Sequence, residues 1–164
     1  MNKVHFSSSG LEWCTPQDFY DELDKEFNFT LDVAATKDNA LCEHFYTAEE
    51  DGLSQPWNPP TGAVFCNPPY GREIIKWVKK AYAEARLHPV TIVMLLPART
   101  DTSYFHDYIY NHALVRFIRG RLRFTDSIGR EYWPAPFPSM VVIYNISASK
   151  KELVEEHTEG SETS

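Results

Sequence analysis

Four consecutive residues have the types and order needed for chemistry on an amino nitrogen: Asn67, Pro68, Pro69 and Tyr70. A planar amino nitrogen, such as N6 of adenine, is a poor nucleophile because its lone pair is delocalised into the ring. The Asn67 side-chain oxygen and the Pro68 carbonyl could accept its two N–H hydrogens and localise that lone pair, while Tyr70 offers an aromatic face to a flipped-out base. The motif therefore predicts methylation of such a nitrogen. The simpler interpretation is that Asn-Pro and Pro-Pro only mark a turn and fix its φ angles.

The residues on either side of this motif favour the chemical interpretation. A short apolar run at 63–66 precedes Asn67 and is typical of a buried strand. After the motif, apolar residues recur at helical spacing, and His88-Pro89 ends the pattern. The residues of this stripe are Ile74, Trp77, Val78, Ala81, Tyr82 and Ala85. A strand that ends in this motif and leads into a helix is the arrangement that the chemistry needs.

Helices and strands alternate along the rest of the chain, which predicts an α/β fold with a doubly wound, mostly parallel sheet of about six to seven strands. Thr15 as N-cap and Pro16 at the first position predict a helix start, and Asp101 opens another helix. The predicted strands cover residues 29–34, 43–46, 63–66, 90–96, 114–124 and 139–145. Ligands bind such sheets at the carboxyl ends of the strands. Asp32, Asn67 and the segment Pro97-Ala98-Arg99 all follow strands, so we expect them to border one crevice.

The composition indicates one globular domain at 1–146 and an acidic tail at 147–164 that we expect to be disordered. The net charge is −7, of which the tail contributes −3. This charge argues against tight non-specific binding of a polyanion, although not against an enzyme that acts on DNA through a local basic face. The chain has no apolar run long enough to span a membrane. The three cysteines lack CxxC spacing and the six histidines lack an HExxH pattern, so the sequence predicts neither a metal site nor a disulfide framework. Because disulfides are rare in reducing compartments, this cysteine usage predicts a cytoplasmic location.

In several stretches the chain resembles the phage-type DNA N-6-adenine-methyltransferase (Dam-type) family. The matching residues between 12 and 145 are Trp13-Cys14-Thr15-Pro16; Leu31-Asp32-Val33-Ala34-Ala35 with Asn39 and Cys42; Tyr46-Thr47, Asp51-Gly52-Leu53 and Trp57; Cys66-Asn67-Pro68-Pro69-Tyr70; Leu95 to Thr102; Gly120-Arg121-Leu122 with Phe124; and Pro134-Ala135-Pro136-Phe137. The resemblance implies a Rossmann-like methyltransferase fold, S-adenosylmethionine as the cofactor, and methyl transfer to adenine N6 in DNA. It also implies action in the cytoplasm of a phage host.

The resemblance assigns the catalytic role to the motif and suggests five residues for cofactor binding: Thr15, Pro16, Asp32, Ala34 and Asp51. Asp32 would pair with the methionine ammonium group, or would be a capping aspartate. Thr15 and Pro16 would offer a helix N-terminus to the cofactor's carboxylate, or would simply begin a helix. Asp51 would meet the adenosine, or would be a solvated loop acid. Asp-Val-Ala-Ala stands where many methyltransferases have a glycine-rich turn.

A basic segment is the predicted DNA surface. Arg119, Arg121 and Arg123 alternate with apolar residues, which in a strand would place three guanidinium groups on one face. Arg99 would join them at the mouth of the pocket, where a phosphate backbone could bind. The alternative is a charged edge strand that prevents aggregation. Three aromatic residues could also border the pocket: Trp57, Trp133 and Phe137.

Two other kinds of function are compatible with the motif: methylation of a different nitrogen, and binding without catalysis. N4 of cytosine, an RNA base and the glutamine amide of a protein each offer a planar nitrogen that bears hydrogens. From another class, the chain could be a catalytically silent module that binds the cofactor or DNA. The sequence does not indicate the oligomeric state.

Overall fold

The computed structural model describes residues 13–146 except 127, 132 and 133. The predicted tail lies outside the described residues. The strands are β1 (Phe29–Asp32), β2 (His44–Phe45), β3 (Ala63–Cys66), β4 (Ile92–Pro97), β5 (Leu114–Phe117) and β6 (Ser139–Tyr144). The helices are α1 (Gln17–Phe27), α2 (Ile74–Leu87) and α3 (Ser103–Tyr108), with a 3-10 turn at Gly52–Ser54.

The strands form one sheet in the order β2-β1-β3-β4-β6-β5. Neighbours from β2 to β4 pair in parallel, whereas β6 pairs antiparallel with β4 and β5. Every residue of β3, β4 and β6 is buried, as expected for strands covered on both faces. The predicted α/β fold with a mostly parallel sheet is thus confirmed, with six strands among the described residues.

Helices cover both faces of the sheet. The strand register places Phe65 and Arg116 on one face and Tyr144 on the other. Helix α1 packs on the first face, where Tyr20 meets Phe65 at 5.1 Å between ring centroids and Glu26 pairs with Arg116. On the second face, the Tyr144 hydroxyl donates to the carbonyl of Tyr108 at the end of α3, and α3 packs against α2. This arrangement confirms the doubly wound expectation.

Several predicted boundaries are off by one or two residues, as for α3, which begins at Ser103 after its cap Thr102 and not at Asp101, and two further differences bear on the predicted site. Thr15 does not cap α1, which begins at Gln17 after Pro16, and no side chain caps this end. The strand predicted at 114–124 ends at Phe117, and the last bond to β6 runs from the Ile118 N–H to the Ser139 carbonyl. Pro138, directly before the first residue of β6, has no N–H to donate to a neighbouring strand. Residues 119–124 therefore have no partner strand beyond the start of β6. The strand alternation proposed for the arginines is therefore absent.

Gly52 is required because two elements approach its Cα closely. A Cβ at this position would overlap the Val33 carbonyl and lie 3.2 Å from the Trp77 ring, while the Trp57 indole donates to the Gly52 carbonyl at 2.8 Å. We expect Gly52→Ala to lower the free energy of unfolding by about 2 kcal/mol through overpacking, as measured by urea titration. Gly120→Ala serves for comparison, since Gly120 has open space around it and a φ of +77°, so only backbone strain of about 1 kcal/mol is expected there. Equal losses in both variants would contradict the steric explanation.

Candidate active site

A cavity of about 400 Å³ opens at the carboxyl ends of β1 and β3. That volume lies within the range of small-molecule sites. Four segments meet around it: the residues before α1, the loop after β1, the loop after β2, and the motif that follows β3. The parallel pairing of β1 and β3 brings these distant segments together. The predicted residues on the cavity wall are Thr15, Asp32, Ala34, Asp51, Asn67, Pro68, Pro69 and Tyr70.

The other predicted site residues do not line this cavity. Pro16 lies just outside its wall. Arg99, Arg119, Arg121 and Arg123 are exposed and do not contribute to the wall. The expected convergence of strand ends is thus seen for β1 and β3, and the segment after β4 is not part of the wall.

The Asn67 amide is held firmly from one side. Its Nδ2 donates to the Trp13 carbonyl at 2.7 Å and to Thr15 Oγ1 at 3.0 Å. The carbonyl can only accept, which fixes the amide orientation. The Oδ1 atom is buried and has no hydrogen-bond partner among the described residues. Because buried acceptors are nearly always paired, this oxygen is an acceptor available to a ligand in the cavity.

Tyr70 is anchored at its hydroxyl and packed at its ring. The hydroxyl donates to the Leu95 carbonyl at 3.0 Å. Phe124 and Phe137 pack edge to face with the ring at 6.2 and 5.7 Å between centroids. Burial raises the pKa of Tyr70 well above its usual value, so this hydroxyl stays protonated. The contacts fix the plane of a ring that lines the cavity.

Asp32 is a buried acid at the end of β1. It is 4% exposed, and burial raises its pKa to about 6, an effect partly offset by hydrogen bonds from the Ala34 and Leu41 backbone. Within the part of the chain that the structure describes, no cation forms an ion pair with this carboxylate. A buried carboxylate is costly without a cation, so the site favours a positively charged ligand group.

Asp51 has a local structural role. Its φ is 55°, and its carboxylate accepts a hydrogen bond from the Leu53 N–H at 3.3 Å, capping the 3-10 turn. The residue is exposed and also lines the cavity. A contact between Asp51 and the adenosine stays a prediction.

Of the three aromatic residues predicted to border the pocket, two lie elsewhere in the structure. Trp57 is fully buried, stacks on Trp77, and bonds Glu84 through its backbone N–H. Phe137 contacts Tyr70 behind the cavity wall. Trp133 lies outside the described residues. The prediction is therefore wrong for Trp57 and Phe137.

Several wall residues were not assigned to the site from the sequence. Trp13, Asn39, Tyr46 and Glu73 all line the cavity. The first three stand in stretches that carry the family resemblance, which was the available signal. Glu73 carried no sequence signal beyond its position directly before α2, where it forms an ion pair with Lys76 at 3.0 Å.

Among residues 13–146 with the three gaps noted, no group of three or more His, Cys, Asp or Glu side chains is arranged to hold a metal ion. No helix in the same described part is both long and apolar enough to cross a membrane. Cys14, Cys42 and Cys66 form no disulfide bond among the described residues.

The six-stranded, mostly parallel sheet with helices on both faces is the fold of a Rossmann-like methyltransferase. The chain belongs to the DNA N-6-adenine-methyltransferase (Dam) family, whose model matches residues 6–161. It is 36% identical over 121 residues to the DNA N-6-adenine-methyltransferase of Escherichia phage T1, covering 73% of this chain and 49% of that protein. It is 29% identical over 142 residues to the DNA N-6-adenine-methyltransferase of Haemophilus phage HP1 (strain HP1c1), covering 83% and 79%. The matched region spans about half the length of the phage T1 protein, and the predicted family is confirmed.

Proposed function

We propose that this protein transfers a methyl group from S-adenosylmethionine to the exocyclic N6 of adenine in DNA. The observation that carries the proposal is the buried, unpaired Oδ1 of Asn67, a residue that lines the cavity. Family membership and the names of the phage T1 and HP1 relatives supply the substrate class.

The motif residues would prepare the amino group for attack. Asn67 Oδ1 accepts one N–H of the target nitrogen and the Pro68 carbonyl accepts the other, which localises the lone pair. Tyr70 stacks a base that has been flipped out of the helix. S-adenosylmethionine supplies an already activated sulfonium methyl group. No strong base is needed, because the amino proton can leave to water after transfer.

The described residues fit such a cofactor. Asp32 offers an unpaired buried carboxylate to its ammonium group, and the cavity of about 400 Å³ has room for a ligand of its class. Ala34 and Asp51 line the same cavity. Thr15 and Pro16, at the start of α1, remain expected neighbours of the carboxylate end.

The exposed arginines are the proposed contact with the DNA backbone. Although they are not on a strand, Arg119, Arg121 and Arg123 are exposed while the intervening Leu122 is half-buried. Phe124 of the same segment packs against Tyr70, so this basic segment lies next to the proposed base site. Arg99 follows β4 on the same edge of the sheet.

We expect the triple variant Arg119→Ala, Arg121→Ala, Arg123→Ala to weaken DNA binding about tenfold or more. Each lost phosphate contact should also reduce the slope of log affinity against log salt by about 0.9. Fluorescence anisotropy across a salt series measures both quantities. Arg86→Ala is the matched control, because Arg86 is exposed at the far end of α2. An unchanged salt slope in the triple variant would show that the three arginines are a solvated surface and do not contact DNA phosphates.

Incubation with methyl-labelled S-adenosylmethionine and unmethylated DNA, followed by digestion to nucleosides and mass spectrometry, tests the function. The proposal predicts label on N6-methyldeoxyadenosine. Label on cytosine would keep the mechanism and change the base. Label only on RNA or on protein glutamine, or cofactor binding without any transfer, would overturn the proposal.

A further inference from the structure

The segment before α1 makes a contact with the catalytic motif that the sequence assignment of Thr15 did not include. Thr15 Oγ1 lies 3.0 Å from Asn67 Nδ2, and the Trp13 carbonyl lies 2.7 Å from the same nitrogen. Thr15 is buried and is 52 positions away from Asn67 in the chain. Two acceptors thus converge on one amide nitrogen.

The chemical consequence lies on the opposite side of the amide. With Nδ2 held by two acceptors, Oδ1 is left buried and unpaired on a residue that lines the cavity. A rotation of the amide by half a turn would bring Oδ1 against the Trp13 carbonyl and present N–H donors to the substrate nitrogen. Those donors would face the hydrogens of the amino group, which cannot accept them. The Trp13 carbonyl, which can only accept, therefore selects the amide orientation that suits an amino substrate, and Thr15 Oγ1 accepts a second hydrogen bond from the same nitrogen in that orientation.

The segment that supplies these acceptors is itself fixed. The Cys14 N–H and carbonyl each form a 3.1 Å hydrogen bond with the backbone of Thr125. The Trp13 ring packs edge to face against Phe124 and Phe137, the same rings that hold Tyr70. The position of Thr15 is thus set by the same packing that sets Tyr70.

We propose that Thr15 is a positioning residue for methyl transfer, which holds the Asn67 amide with its oxygen toward the target nitrogen. This inference rests on the proposed function. It assigns to Thr15 an action through Asn67 in place of the cofactor contact expected from the sequence. The protein's methyl acceptor would then be an N–H donor, and its recognition would depend on this hydroxyl.

The test compares Thr15→Val, which keeps the shape and removes the acceptor, with Thr15→Ser, which keeps the acceptor. We expect Thr15→Val to lower kcat about 10- to 30-fold, with the Kd for S-adenosylmethionine unchanged within twofold. Thr15→Ser should restore kcat to within about threefold of the wild type. Calorimetry gives the Kd, steady-state assays give kcat, and thermal melting shows that each variant is folded. If Thr15→Val is unfolded, Thr15→Ala takes its place in the comparison with Thr15→Ser.

Three results would overturn the inference. A raised cofactor Kd with normal kcat in Thr15→Val would assign Thr15 to the cofactor. Full activity in Thr15→Val would show that Trp13 alone orients the amide. Equal losses in the serine and valine variants would point to packing of the Thr15 methyl group. Failure of the proposed function is distinguishable, because the wild type itself would then transfer no methyl group to adenine.

Discussion

Asn67→Ala should lower kcat for methyl transfer by about a thousandfold while cofactor binding stays intact. The variant removes the one buried unpaired acceptor that the described cavity wall offers. Loss of a single preorganised polar group at a reacting atom typically costs 10²- to 10³-fold, and in the proposed mechanism the same atom also orients the base. Single-turnover assays with labelled S-adenosylmethionine measure the rate, and isothermal titration calorimetry measures the cofactor Kd.

Asn58→Ala is a matched control, because Asn58 is exposed and outside the cavity wall. It should retain wild-type kcat. Transfer by Asn67→Ala at a rate near the wild type would remove Asn67 from the chemistry. Loss of cofactor binding together with activity would instead make Asn67 a structural support of the cavity.

Asp32→Asn should weaken S-adenosylmethionine binding about 100-fold and, at pH 8, stabilise the ligand-free protein by up to about 3 kcal/mol. The carboxylate is buried without an ion-pair partner among the described residues, so its charge costs free energy, which the ammonium group of the proposed cofactor would offset. The amide of asparagine has the same shape but no charge. Calorimetry gives the affinity, and urea titration gives the free energy of unfolding.

The pH dependence of stability follows from the raised pKa of Asp32, about 6 in the folded protein. Below pH 4 this carboxyl is protonated in both the folded and the unfolded state. Between pH 4 and 6 the unfolded chain releases its proton first, so the contribution of Asp32 to the free energy of unfolding falls as pH rises. Above pH 6 the full cost of roughly 3 kcal/mol is present.

The asparagine variant should lack this part of the pH dependence. An equal stability difference between wild type and Asp32→Asn at pH 4 and pH 8 would contradict the account of Asp32. Unchanged cofactor affinity in the variant would show that the ammonium group binds elsewhere.

Local pattern was sufficient for the fold and for the main parts of the site. The apolar stripe from Ile74 to Ala85 marked α2, and the buried run before Asn67 marked β3. Because parallel strands end at one edge, the positions of Asp32 and Asn67 after two strands predicted their meeting.

Contacts between segments that are distant in the chain could not be predicted from local sequence patterns. The bond from Asn67 to Thr15 depends on how the segment before α1 crosses the motif, and no periodicity encodes that crossing. Arginines 119–123 alternate like a strand, yet β6 begins only at Ser139, after Pro138, and offers them no partner. Trp57 stands in a proline-rich loop but is buried by Trp77 and Glu84.

The most direct measurement is a crystal structure of the protein with S-adenosylhomocysteine and a DNA duplex that carries its mapped methylation site. The account predicts a flipped adenine in the cavity whose N6 lies about 2.7–3.2 Å from Asn67 Oδ1, with Nδ2 still bonded to Trp13 and Thr15. An adenine bound with N6 away from Oδ1, or an Asn67 amide turned to bond another group, would contradict it.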